Sequence, residues 1–167
     1  MKILLIIATV LNLVLSSGTD ASKQAIKTQV YQCGKPIEGS NHILVLTSVN
    51  GKHSGHYLGS EKFTLYLQNS MTEDTVYYFT ELKNLVVGND GHLQFTVSTT
   101  EAYTEPFLVD SSGNIIKRPG IRTNNISGEL RYGFNYTGNI TDKAIILRRH
   151  SGKYRFSSSE TFQFYLR

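Results

Sequence analysis

Two histidines and a pair of carboxylates are the side chains of this sequence whose type and spacing could do chemistry together. His53 and His56 are three residues apart in a glycine-containing stretch that could hold a metal ion. A dependable zinc site needs three or four ligands, and no further His or Cys lies close by in the sequence. Glu73 and Asp74 are adjacent, so on a strand their carboxylates face opposite sides of the sheet. We therefore predict neither a metal site nor a cofactor.

The motifs of common hydrolase and nucleotide-binding sites are missing as well. The sequence contains no G-x-S-x-G elbow, no P-loop and no H-E-x-x-H motif. We therefore predict no catalytic residue and a non-enzymatic protein. A hydrolase whose residues meet only in space stays open as an alternative, because the fold can assemble a triad from distant residues.

Cys33 is the sole cysteine, so its thiol cannot form a disulfide within the chain. In an oxidising compartment such a thiol is buried, paired with another chain or reactive. A reactive thiol needs a neighbouring base and a lowered pKa, and the sequence indicates neither. We predict that Cys33 is buried in a strand, where cysteine packs like a small apolar side chain. A disulfide-linked dimer stays open.

The N-terminus has the layout of a secretory signal peptide. Lys2 precedes an almost wholly apolar run over residues 3–15, and small residues follow at Ser16, Ser17 and Gly18. The run is too short to cross about 30 Å of hydrocarbon, which needs about 20 residues. We predict a signal peptide over residues 1–18 and a secreted, extracellular mature chain that does not span a membrane. A buried N-terminal helix is the alternative.

Three acceptor patterns for N-linked sugar follow from secretion. They are centred on Asn125 (N-I-S), Asn135 (N-Y-T) and Asn139 (N-I-T), and all lie within residues 125–141. A glycosylated asparagine must lie on an exposed surface, because a glycan cannot be buried. We predict that at least one of the three is used; the alternative is that they are ordinary turn residues.

The elements that must position these side chains are β-strands, because the dominant period of the mature chain is two. Apolar residues alternate with polar ones over residues 63–67, 93–97 and 162–166, a pattern typical of a strand with one face on a core. Residues 43–46 and 144–147 are continuously apolar, which predicts central strands covered on both faces.

Turn residues separate these runs at short intervals. Asn50-Gly51 and Asp90-Gly91 are pairs suited to positive φ, and residues 111–114 and 118–120 are further loop signals. The strands between them have about five to eight residues, and no amphipathic helix is indicated. We predict one all-β domain over residues 19–167, an antiparallel β-sandwich of the immunoglobulin or transthyretin type, after the signal helix.

Composition and charge narrow the function. The 40% apolar content with a net charge of +4 excludes a disordered chain. Residues 19–110 carry 6 Lys+Arg against 10 Asp+Glu, whereas residues 111–167 carry 10 against 3. A basic half attracts anionic partners, and we predict an anion-binding cluster at Arg148, Arg149, Lys153 and Arg155. Solvated strand edges are the alternative. Nucleic acid is not expected, because its recognition motifs are absent.

Three segments resemble secreted nematode transthyretin-like proteins. They are residues 33–36 (C-G-K-P) before an apolar strand, residues 90–95 (D-G-H-L-Q-F) and residues 105–109 (E-P-F-L-V). The second cysteine usual in that family is missing. The resemblance implies an immunoglobulin-like antiparallel sandwich and an extracellular binding role, which in some members involves cell-surface lipid. Transthyretin-related hydrolases end in Y-R-G-S, whereas this chain ends F-Y-L-R, so their activity is not expected.

Two binding functions remain in view. The first is a secreted, N-glycosylated binding protein that recognises an extracellular protein, a sulfated glycan or an anionic lipid headgroup through its basic half. The second is a β-barrel carrier of a small apolar ligand, consistent with 8 Phe and 10 Tyr. The sequence leaves the oligomeric state open.

Overall fold

The computed structural model describes residues 26–34, 41–67, 70–123, 129–151 and 159–167. The predicted signal peptide, Asn125, Lys153 and Arg155 lie outside these residues. The described strands are β1 (Ile26–Cys33), β2 (Ile43–Val49), β3 (Lys52–Leu67), β4 (Ser70–Glu81), β5 (Lys83–Val87), β6 (His92–Val97), β7 (Ala102–Tyr103), β8 (Leu108–Val109), β9 (Ile115–Lys117), β10 (Ile121–Thr123), β11 (Phe134–Ile140), β12 (Ala144–Ser151) and β13 (Glu160–Leu166). A short helix, α1 (Glu129–Tyr132), precedes β11.

One antiparallel sheet contains nearly all of these strands. Its eleven strands follow the order β10-β7-β4-β3-β2-β1-β13-β12-β11-β6-β5, and β8 pairs with β9 in a separate two-stranded sheet. Every pairing is antiparallel; for example, Tyr31 of β1 lies opposite Leu166 of β13. The prediction of an all-β, antiparallel protein is confirmed.

The sheet curls back on itself where β4 continues into β5. Only Leu82 separates the two strands, yet β4 pairs with β3 and β5 pairs with β6, which stand far apart in the strand order. The Leu82 N–H donates to the carbonyl of Gly55 on β3 at 2.9 Å, and Asn84 takes a positive φ of 52° just after it. The result is a barrel-like ring that runs from β1 through β3, β4–β5, β6, β11 and β12 to β13.

Two hairpin turns show how local sequence determines this path. Asn50 and Gly51 have φ of 51° and 75° and join β2 to β3 with Val49 opposite Lys52, as predicted for a two-residue turn. At Asp90-Gly91 only the glycine has positive φ, and the loop is longer, because the Gly88 N–H donates to the carbonyl of His92. The positive φ expected of this pair is therefore found at Gly91 but not at Asp90, and the hairpin exists.

Side chains on the inner face of the ring form the main core. The alternation predicted over residues 93–97 is confirmed, because every second side chain of β6 is buried. On β13 it holds for Phe162 and Phe164 but is wrong at Leu166, which is 47% exposed near the end of the strand. The largest fully buried side chains include the rings of Tyr57, Tyr78, Tyr136, Phe95 and Phe164. The centre of the ring is therefore filled by aromatic side chains.

A second apolar layer covers the outer face of β1–β3. Val30, Ile43, Val45 and Leu58 pack with Tyr103 and Phe107, next to the β8–β9 hairpin. Strand β2 is therefore covered on both faces, as its continuously apolar sequence predicts. For β12 the same prediction is wrong, because Ile146 is 48% exposed on the outer face.

Within the described residues, no helix has the length and apolar character needed to cross a bilayer.

Candidate functional site

Arg148 and Arg149 of the predicted anion-binding cluster do not share one face of the sheet. Arg148 and Arg149 are neighbours on β12, so their side chains leave the strand on opposite sides. Arg148 is exposed on the outer face, whereas only 10% of the Arg149 side chain is exposed. Lys153 and Arg155 lie outside the described residues. Of the predicted cluster, the described outer face therefore carries Arg148 alone.

Folding also pairs the two halves whose charges differ along the sequence. Lys117 forms an ion pair with Glu105 at 2.8 Å, and Arg122 forms one with Asp74. Basic residues of the C-terminal half therefore contact acidic residues of the N-terminal half. Arg149 bonds Glu61 in the same way. Charge asymmetry in the sequence therefore does not become an equal asymmetry of the folded surface.

Two predicted glycan acceptors lie on the outer face beside Arg148. Asn135 and Asn139 are exposed on β11, and Asn135 accepts a hydrogen bond from the Thr96 hydroxyl at 2.8 Å. In the register of β11 with β12, the partner of Arg148 is Thr137, midway between the two acceptors. Asn125 lies outside the described residues. A glycan at either described acceptor would therefore stand close to Arg148.

Cys33 is buried near the end of β1, as predicted for a structural thiol. Its backbone N–H donates to the carbonyl of His42 at 2.9 Å. The side chain belongs to the main core with Tyr31 and Phe164. Cys33 is therefore accounted for as a small apolar packing residue, without any need for thiol chemistry.

A polar cluster stands inside the ring at the end where β12 finishes and β13 begins. We call it the Arg149 cluster; its members are His42, Tyr57, Glu61, Tyr78, Tyr136, Arg149 and Glu160. These residues come from β3, β4, β11, β12, β13 and the residue just before β2, so the curled sheet alone brings them together. Their hydrogen-bonding groups meet where a purely structural core would be apolar.

Ion pairs and rings hold the Arg149 guanidinium in place. It donates hydrogen bonds to the carboxylates of Glu61 and Glu160. Its central carbon lies 4.4 Å from the centroid of the Phe134 ring and 5.1 Å from that of Phe162. Arginine suits such a position because its planar group stacks on rings while its edge donates to carboxylates.

A chain of hydroxyl groups continues the cluster into the core. The Tyr136 hydroxyl donates to the Tyr57 oxygen at 3.2 Å. The hydrogen of the Tyr57 hydroxyl is then left for Nδ1 of His42, 3.1 Å away. The Tyr78 hydroxyl donates to the Glu61 carboxylate at 3.4 Å. Each buried polar group of this series of hydrogen bonds therefore has a partner, as buried networks require.

Burial determines the charge states of the cluster. Burial, together with the nearby Arg149 charge, lowers the pKa of His42 to about 3, so its imidazole is neutral at neutral pH. Burial raises the pKa of Tyr136 to about 12 and those of Tyr57 and Tyr78 well above the usual value. Burial also raises the pKa of Glu61, although Arg149 opposes the shift.

Sequence analysis missed most of this cluster, but one signal was present. Arg149 has the same strand parity as the buried Ile145 and Leu147, and Glu160 has that of Phe162. Charged residues at inward positions of an alternating pattern indicate polar groups inside the sheet. The bonding partners could not be read in this way, because Glu61 lies 88 residues from Arg149.

The two histidines considered as metal ligands both lie on β3. His53 is exposed and His56 is partly buried on β3. Among the described residues, no group of three or more His, Cys, Asp or Glu side chains could hold a metal ion.

Comparisons with known proteins give no relative: no family model, curated protein or solved structure matches this chain. The resemblance to nematode transthyretin-like proteins therefore stays a prediction.

Proposed function

We propose that this chain is a secreted, N-glycosylated, non-enzymatic binding protein that binds a small polar molecule at the Arg149 cluster. The observation that carries the proposal is a charged network placed inside a curled sheet. Taking ions out of water costs several kcal/mol each, and replacing buried ion pairs by apolar side chains is often neutral or stabilising. A functional role accounts for such a network better than a purely structural one.

Access to the cluster supports the same proposal. The side chains of Glu61 and Glu160 are 22% and 40% exposed, so they form the outer layer of the cluster above the buried phenols. Ligand sites often occupy the mouths of β-barrels, with a few convergent polar groups that fix the orientation of the ligand. A ligand at this mouth would meet two carboxylates and the edge of the Arg149 guanidinium.

The pKa values of the cluster support binding rather than proton transfer. General acid–base catalysis works best when the pKa of the group lies near the working pH. The pKa of His42 is about 3 and that of Tyr136 is about 12, so both keep one protonation state through the physiological range. Fixed charge states suit a constant set of hydrogen-bond donors and acceptors.

The curled single sheet favours the barrel alternative over an immunoglobulin-like sandwich. The side chains in its interior limit the kind of ligand that it could bind. Rings of Tyr57, Phe95 and Phe164 fill the centre of the ring, so a deep apolar ligand has no support there. At the mouth, the exposed groups are charged. We therefore propose a ligand that offers hydrogen-bonding groups rather than the apolar ligand expected from composition.

Glu160→Gln tests this proposal, with Glu105→Gln as a matched exposed control. Water-soluble small molecules are screened against the wild-type protein by ligand-observed NMR, and the hits are measured again on both variants. Loss of a hydrogen bond to a charged group predicts about tenfold weaker binding to Glu160→Gln and unchanged binding to Glu105→Gln. Equal affinity for the two variants would remove the Arg149 cluster as the site.

An anionic macromolecule at the outer face is the second candidate function, favoured by the exposure of Arg148. Heparin chromatography and anionic liposome binding of Arg148→Gln are compared with those of Lys143→Gln, which also changes an exposed cation. We expect weaker retention of Arg148→Gln only. Because Asn135 and Asn139 flank this position, enzymatic removal of N-glycans is expected to increase retention of the wild-type protein.

A further inference from the structure

A cleft of about 470 Å³ opens on the side of the ring, between β3 and β5. Residues 52–55 of β3 pair with β2, whereas pairing with β4 begins only at His56. Strand β5 pairs with β6. Beyond the hydrogen bond from Leu82 to Gly55, no described ladder joins β3 to β5, so the seam of the ring stays open there.

Apolar side chains from β4, β5 and the residue between them line part of this seam cleft. Leu82 and Leu85 are partly buried and pack against the main core, and Phe79 lines the cleft from β4. The Phe79 ring centroid lies 5.2 Å from that of the His56 ring. The volume falls within the range of about 300–1,000 Å³ that is usual for small-molecule sites.

One buried polar atom of a residue that lines the cleft has no hydrogen-bond partner among the described residues. This atom is Nε2 of His56. Such a group costs about 1–3 kcal/mol unless a partner satisfies it. Glu81 lies opposite His56 in the register of β3 with β4, lines the cleft and is exposed. Glu81 is the acidic side chain among the described residues that line the cleft.

We infer that the seam cleft is a binding site for a small organic amine with an apolar body. The ammonium group pairs with the Glu81 carboxylate, one donor hydrogen approaches the His56 ring, and the apolar body packs on Phe79, Leu82 and Leu85. The cleft shares no residue with the Arg149 cluster, so this inference does not rest on the proposed function.

Two probes of the same shape test the charge of the ligand. Binding of 2-phenylethylamine and of the neutral 2-phenylethanol to the wild-type protein is measured by protein-observed NMR. An exposed ion pair contributes up to about 1 kcal/mol, so we expect the amine to bind about fivefold more tightly at low salt. The difference should shrink at high salt, because salt screens exposed charges. The imidazole resonances of His56 should move during the titration.

Two variants and one control complete the test. Glu81→Gln should remove the preference for the amine while both probes still bind, and Leu85→Trp should fill the cleft and abolish binding of both. Glu160→Gln, which alters only the Arg149 cluster, should bind both probes like the wild type. The inference is overturned if neither probe moves His56 resonances, or if Glu81→Gln keeps the wild-type preference. Loss of binding in Glu160→Gln alone would assign the amine to the Arg149 cluster instead.

Discussion

Replacing Arg149 by methionine should destabilise the protein far more than the same change at Arg148. In Arg149→Met, Glu61 keeps a mostly buried carboxylate, 22% exposed, without its cation. Glu160 is 40% exposed and can regain water, so Glu61 carries most of the penalty. Breaking a buried ion pair by removing one partner costs about 3–5 kcal/mol, and the partial exposure of Glu61 favours about 3 kcal/mol. Arg148→Met should change stability by about 0.5 kcal/mol or less.

The pH dependence of this loss follows from the sign of the Glu61 shift. Burial raises the pKa of Glu61, and removing Arg149 removes the charge that opposes this shift. A carboxyl group with a raised folded-state pKa stabilises the fold at low pH, and this stabilisation is lost as pH rises through that pKa. The destabilisation by Arg149→Met should therefore be smaller at pH 4 than at pH 7.

Urea denaturation followed by circular dichroism and tyrosine fluorescence measures these free energies of unfolding, because the sequence contains no tryptophan. The double variant Glu61→Gln/Arg149→Met should regain at least about 1 kcal/mol, since it leaves no buried charge. Equal stabilities of Arg149→Met and Arg148→Met at pH 7 would refute the placement of Arg149 inside the ring.

Three further predictions concern other parts of the chain. Expression in eukaryotic cells should give a secreted product that begins near residue 19 and loses mass on glycosidase treatment. Asn135→Gln and Asn139→Gln should each remove one glycan where that acceptor is used. A cytosolic product with an intact N-terminus would contradict secretion. Burial lowers the folded-state pKa of His42 to about 3, so the contribution of this residue to stability should be complete above about pH 6.5 and should be lost as pH drops towards 3. In thermal unfolding, the stability of His42→Gln should therefore depend less on pH than that of the wild type. Parallel pH profiles of the two proteins would refute burial of this imidazole. A Cβ at Gly138 would meet the carbonyl oxygen of Ile146 at 1.9 Å, whereas one at Gly120 meets nothing within 4 Å. In urea denaturation, Gly138→Ala should therefore lower the free energy of unfolding by more than about 2 kcal/mol, and Gly120→Ala should leave it almost unchanged. Similar values for both variants would be inconsistent with this close approach.

Local sequence determined the strands and one turn, because these depend on neighbouring residues. Alternation predicts the buried faces around Leu93 and Phe162, and Asn50-Gly51 predicts the β2–β3 hairpin. The closure of the sheet could not be predicted in this way. It depends on the single residue Leu82, because the chain pairs with β3 before this residue, as β4, and with β6 after it, as β5. No local pattern in the sequence indicates that change of partner strand.

The candidate site shows the same division between local and distant information. The prediction placed Arg148 and Arg149 in one basic cluster, although adjacent residues of a strand face opposite sides of the sheet. Applying the period of two to these residues would have placed Arg149 with Leu147 in the core. Its partner Glu61 comes from β3, and only the curled sheet brings these residues together.

An NMR titration tests the central claim most directly, with the guanidinium resonances of the arginines as the observed signals. The protein is titrated with the small molecules that bind in the ligand-observed screen. Binding at the inner cluster predicts that the Arg149 side-chain resonance moves in proportion to occupancy while that of Arg148 stays in place. Movement of Arg148 with an unchanged Arg149 would contradict the account and assign binding to the outer face.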